Sequence, residues 1–128
     1  MTLTPRTAEL HARLAGFPGA TATPMTASRG SEPLVVLFKV MGKMFAILSV
    51  RREEYVILKC DAHLAETLRG QYAGIGHRSH LDRRFWISVS LDADVPAEEV
   101  ERLVAHSYDQ VRAGLTKKQK AELEALGA

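Results

Sequence analysis

A chain of 128 residues, 46% hydrophobic and 25% charged, has the size and composition of one globular domain with a single core, which excludes disorder along its whole length. The longest apolar stretch, Leu34 to Val50, is interrupted by Lys39, Gly42 and Lys43, which excludes a membrane span. Met1 to Gly19 carries Arg6, Glu9, His11 and Arg13, so no signal-peptide core is expected and the cytoplasm is the expected compartment.

Thr4 and Pro5 have the form of a helix start, with Leu10 and Leu14 on one face and Gly16, Pro18 and Gly19 as the stop. Ala20 to Pro33 shows no apolar periodicity and is expected to be an extended, mobile connection. Leu34–Val40 and Lys43–Val50 are expected strands, joined by Met41 and Gly42 in a tight hairpin. Tyr55–Cys60 is a third strand. Links this short allow only antiparallel pairing. Cys60, the sole cysteine, excludes a disulfide framework and ends an apolar run, so a buried, inert thiol is expected.

Asp61 can cap a helix running to Tyr72, with Leu64 and Leu68 on its apolar face and Gly74 beyond its end. Gly76–Leu81 and Phe85–Leu91 are expected to form a second hairpin, in which Phe85, Ile87, Val89 and Leu91 alternate with Trp86, Ser88 and Ser90. A third helix is expected from Asp94, which would cap it, with a stripe of Val100, Leu103, Val104, Ser107 and Val111 and a stop at Gly114. Thr116 and Gln119 match a capping box opening a short last helix.

This order, α-β(3)-α-β(2)-α plus a C-terminal helix, predicts an α+β fold: two layers, with helices on one face of an antiparallel sheet of about five strands. One domain covers 1–128, its core at about 5–115 and its C-terminal helix at 116–128. Both faces of the first hairpin are apolar: Leu34, Val36, Phe38 and Val40 alternate with Val35 and Leu37. A half-solvated sheet would be polar on one side, so a cover is expected, either a terminal helix or the second subunit of a homodimer.

The residues offer no catalytic constellation, and neither an enzyme nor a cofactor is expected. His77 and His80 would share a helix face, but in a strand residues three apart point to opposite sides, and no metal site is expected. His63 and His106 have no nucleophile placed for activation. Charge is concentrated instead. Net charge is only +2, yet Arg78, Arg83 and Arg84 face only Asp82 between residues 76 and 84, while Arg112, Lys117, Lys118 and Lys120 lie in a stretch without acids. The segment from His77 through Arg78, His80, Arg83 and Arg84 to Trp86 thus sets cations and imidazoles beside an indole at a hairpin tip. Arginine contacts phosphate in bidentate fashion and an aromatic ring stacks on a base. A charged turn that keeps a sheet edge apart from other chains would have the same composition. Strand parity puts Arg84 and Trp86 on the face opposite Phe85, Ile87 and Val89. Lys117 and Lys118 oppose the dipole of the last helix, which an anionic partner would relieve.

Leu37 to Leu48, Leu58 to Asp61, His80 to Trp86, His106 to Tyr108, and Gly114 with Leu115 together resemble the MmcQ/YjbR family of small bacterial proteins, in order over about Leu10 to Lys120. The resemblance implies a compact CyaY-like fold and DNA binding through a double-wing arrangement. It places nucleic-acid contacts at His80, Arg83, Arg84 and Trp86, to which the charge pattern adds Arg78, Lys117 and Lys118. The chain departs from the family pattern at Asp82 and Ile87, where asparagine is usual, and at Phe85, where histidine is usual. A carboxylate at 82 repels phosphate where an amide would donate to it. Two functions follow: a non-catalytic DNA-binding protein, or a dimeric protein-interaction or chaperone-like module that uses its apolar sheet face.

Overall fold

The computed structural model describes residues 4–26, 33–51, 53–78 and 80–127. Its elements are helix α1 (Pro5–Ala15), strands β1 (Ala20–Thr26), β2 (Pro33–Val40), β3 (Lys43–Ser49) and β4 (Tyr55–Lys59), helix α2 (Ala62–Gln71), strands β5 (Ile75–Gly76) and β6 (Trp86–Ser90), and helices α3 (Ala97–Ala113) and α4 (Lys117–Ala125). The strands form one antiparallel sheet in the order β1-β2-β3-β4-β6-β5. The α+β class stands, with six strands rather than about five.

Local chemistry sets the helix ends. Thr4 accepts from the Thr7 amide, with Pro5 at the first turn of α1. Asp61 accepts from the Leu64 amide at 3.1 Å, and Thr116 and Gln119 complete the capping box of α4. Met41 and Gly42 both have positive φ, 49° and 78°, the signature of the type I′ turn whose twist matches a hairpin.

Three expectations are corrected. Ala20–Thr26 pairs along β2 as an edge strand; its side chains are almost all exposed, so burial imposed no apolar alternation. Pro24 is tolerated there because an edge strand has one solvent-facing side. The rest of the expected connection, 27–32, lies outside the described residues. The second hairpin shrinks to two residues of β5 against β6; the described residues between His77 and Phe85 belong to no strand, and Phe85 is exposed. The parity arguments that separated His77 from His80, and joined Arg84 to Trp86, therefore do not apply. Asp94 does not cap α3, whose N-cap is Pro96. It accepts instead from the amides of Ala73 and Gly74 at 2.8 and 2.7 Å, which holds its carboxyl below the usual range. A side chain at Gly74 would meet Ala93 and Asp94 within 3 Å, so this clamp needs glycine.

All four helices contribute to a single core on one face of the sheet, where Phe38, Val40, Phe45, Leu48, Leu58, Ile87 and Val89 are buried. Each such side chain contributes about 1.5–3 kcal/mol. Register slips between Phe38 and Lys39, so Phe45 and Ala46 both turn toward the helices. The β3–β4 pairing ends at Ala46 and Leu58, one residue short of Phe45 and Lys59. Ser107 of α3, fully buried, serves both: its hydroxyl donates to Phe45 O at 2.5 Å and accepts from Lys59 N at 2.8 Å. Its neighbours are equally engaged. His106 Nε2 accepts from the Asp61 amide, and Tyr108 donates to Pro18 O at 2.6 Å while packing against Phe17 and Phe45. Cys60 is buried, and burial pushes its thiol up to about 11.

The other face of the sheet carries Val35, Leu37, Lys39, Met44, Ile47, Tyr55, Ile57, Lys59 and Trp86. Both terminal helices pack into the core on the helix side, so neither provides the expected cover. No described helix packs on this face, but Arg78, from the segment between β5 and β6, lies over Tyr55 there, and Ile57 and Ser88 are buried, while Leu37, Lys39, Ile47 and Lys59 are half-buried.

Candidate nucleic-acid interface

The described cations between β5 and β6 part company. Arg78 turns toward the β3–β4 corner, where its guanidinium lies 4.5 Å over the Tyr55 ring and pairs with Glu53. The register pairs Tyr55 with Ser90 and Lys59 with Trp86, so Arg78 sits about 13 Å along β4 from the other cations. His77 contacts the Leu81 carbonyl through Nε2 at 2.6 Å, and His80 is exposed.

At the Trp86 end, Asp82 organises the turn. Its carboxylate accepts from the Arg84 amide at 2.9 Å and from the Arg84 guanidinium at 3.2 and 2.8 Å. These bonds lower its pKa to about 2, so it is charged at neutral pH and offsets the charge of Arg84. Arg84 also lies 5.2 Å over the Phe85 ring. Arg83 has no carboxylate or other side-chain partner among the described residues. Arg69 of α2 donates to the carbonyls of Arg83 and Trp86, fastening the turn to the helix. Its Nε is buried without an acceptor, and burial followed by the nearby Arg83 lowers its pKa. Ala62, His63, Glu66 and Arg69 of α2 and Arg83 and Arg84 of the turn line an open groove of about 520 Å³. Three arginines and Glu66 thus share its lining; with Arg84 paired to Asp82 and Arg69 bonded to two carbonyls, Arg83 is the one left to take an oxyanion.

The model of the YjbR family matches residues 15–110. This chain belongs to the YjbR family. Two curated relatives, both named uncharacterized protein YjbR, from Escherichia coli strains K12 and O157:H7, are 36% identical over 73 residues; the match spans 56% of this chain and 62% of theirs. The crystal structure of a Deinococcus radiodurans protein with a DUF419 domain superposes with a TM-score of 0.80 at 28% identity, covering 96% of this chain and 92% of that one. A Pseudomonas syringae protein shares the fold, with a TM-score of 0.63 at 20% identity over 84% of this chain.

Of the candidate contacts, the structure groups Arg83, Arg84 and Trp86 at one end of the sheet, leaves His80 exposed on the loop before them, and takes Arg78 to the opposite end. Lys117 and Lys118 are exposed in the first turn of α4, and no contact among the described residues links them to the groove. Arg69, Lys39 and Lys59 are not among the contacts expected from the sequence of this YjbR chain. The lysines were detectable: each alternates with buried strand neighbours, Phe38 and Val40 or Leu58 and Cys60, and must face away from the core. Arg69 was not, because its importance depends on a turn fourteen residues later.

Proposed function

We propose that this YjbR-family chain is a non-enzymatic, cytoplasmic protein that binds DNA, taking phosphates at the groove between α2 and the Arg83–Arg84 turn. The observation that carries this reading is Arg83, a cation without a partner among the described residues, in a groove where Arg69 and Arg84 supply further guanidinium groups. Asp82 tempers it, since a phosphate must compete with a carboxylate already bonded to Arg84. The test is fluorescence anisotropy with labelled 20-nucleotide DNA, single-stranded and duplex, at two salt concentrations. Arg83→Ala with Arg84→Ala is expected to weaken binding and to lower the salt slope by about one to two. Binding that is equally tight in the variant at low salt would end the proposal.

A second reading, a protein-interaction or chaperone-like dimeric module, draws on the open sheet face, where Leu37 and Ile47 are only half-buried. It predicts a concentration-dependent dimer in sedimentation and no DNA affinity.

A further inference from the structure

The open face differs from an ordinary apolar interface in its charge. Among the six strands no position is Asp or Glu; the charged residues are Lys39, Lys43 and Lys59. Lys39 and Lys59 are on the open face, at the end that carries Trp86, and neither ammonium has a partner among the described residues. Cross-strand register pairs Lys59 directly with Trp86 and Lys39 with Met44, which sets the two lysines two strands, about 10 Å, apart in one row. Behind that row lies a floor of Leu37 and Ile47, which are half-buried and cross-strand partners; Ile57, next to Ile47, is 5% exposed and already covered.

We infer that this face binds single-stranded nucleic acid, with a base stacked on Trp86, phosphates on Lys39 and Lys59, and further bases on the aliphatic floor. The inference rests on the DNA-binding proposal and specifies which form of the polymer is taken and where. Charge complementarity selects the occupant. A second copy would bring another acid-free face with the same lysines, whereas a nucleic acid is anionic along its whole length. Base exposure selects the form. In a duplex the base faces are stacked away, and the sheet would desolvate Leu37 and Ile47 against sugar and phosphate; a single strand offers flat apolar rings to an apolar surface. The groove at Arg83 lies round the same end of the sheet, joined through the Arg69 bond to the Trp86 carbonyl at 2.9 Å, so one strand can run from groove to face.

Trp86 is the only tryptophan, which makes its fluorescence a direct reporter. Titrating the full chain with oligothymidylate of 12 nucleotides is expected to quench that fluorescence, with tighter binding than to a duplex of equal length. Lys39→Gln with Lys59→Gln is expected to weaken single-strand binding by roughly tenfold and reduce its salt slope, and Trp86→Phe to retain more affinity than Trp86→Ala. Circular dichroism and a urea midpoint confirm that each variant is folded, and a variant that unfolds leaves the quench and the strand preference of the unaltered chain to decide. Duplex binding that needs Arg83 but not Lys39, Lys59 or Trp86 overturns this inference and leaves the DNA-binding proposal standing. Absence of binding to either form overturns both. A sedimentation dimer lost in the lysine variant would assign the face to a second copy and overturn it too.

Discussion

The two faces of the sheet are built from alternate residues of the same strands, yet their fates differ. Phe38, Phe45, Leu48 and Leu58 are buried under α3, while Leu37, Ile47 and Lys59 of the same strands have no described element over them. Apolar character is therefore shared by both faces and does not distinguish them. Coverage does. On the covered face Ser107 holds α3 to β3 and β4, His106 bonds the Asp61 amide before α2 and Tyr108 the Pro18 carbonyl after α1, whereas on the open side the ammonium groups of Lys39 and Lys59 make no bond among the described residues. Conserving structure and leaving chemistry free are thus two separate jobs of one sheet.

The widest contrast is between two neighbours in β3. Phe45→Ala opens a cavity among Phe17, Phe38 and Tyr108 and is expected to cost about 3–5 kcal/mol, while Ile47→Ala, on the open face, is expected to cost about 1 kcal/mol. Urea unfolding of both variants measures it. A large loss at Ile47 would mean that the open face is covered in solution, and the comparison would fail.

Next in size, Ser107→Ala leaves the Phe45 carbonyl and the Lys59 amide buried without partners and is expected to cost about 1–3 kcal/mol, read as a lowered urea midpoint. Ser107→Cys, of similar shape but weaker in hydrogen bonding, should fall between. Equal midpoints for all three chains would show that the carbonyl and the amide are satisfied in another way.

The smallest effect sharpens the comparison at the sheet's end, where Glu54 accepts from the Thr4 and Thr7 hydroxyls, the latter at 3.0 Å, and ties α1 to the β3–β4 corner. Those bonds lower its pKa from 4.5. A depressed carboxylate contributes stability above its unfolded pKa and loses it as pH falls through the folded value. Glu54→Gln is therefore expected to be slightly less stable than the unaltered chain at pH 7, with the gap closing as the pH drops below 4.5. A gap independent of pH would show that shape, and not charge, makes the bond.

What the sequence determined by itself was whatever is decided within a few residues. The caps at Thr4, Asp61 and Thr116, the Met41-Gly42 turn, the three-strand meander and the burial of Cys60 are all local consequences of side-chain reach, backbone freedom and period, and each was legible. The cationic segment ending in Trp86 was also visible as composition. Tertiary structure alone decided the rest. β1 exists because β2 offers it an edge, since Thr, Ala and Pro with exposed side chains carry no pattern of their own. Asp94 left its expected cap because two amides twenty residues earlier bind it better than one helix end would. Arg78 parted from Arg84 because Glu53 and Tyr55 lie at one end of β4 and Asp82 at the other, and distances of that kind are set by strand register, which no local spacing records.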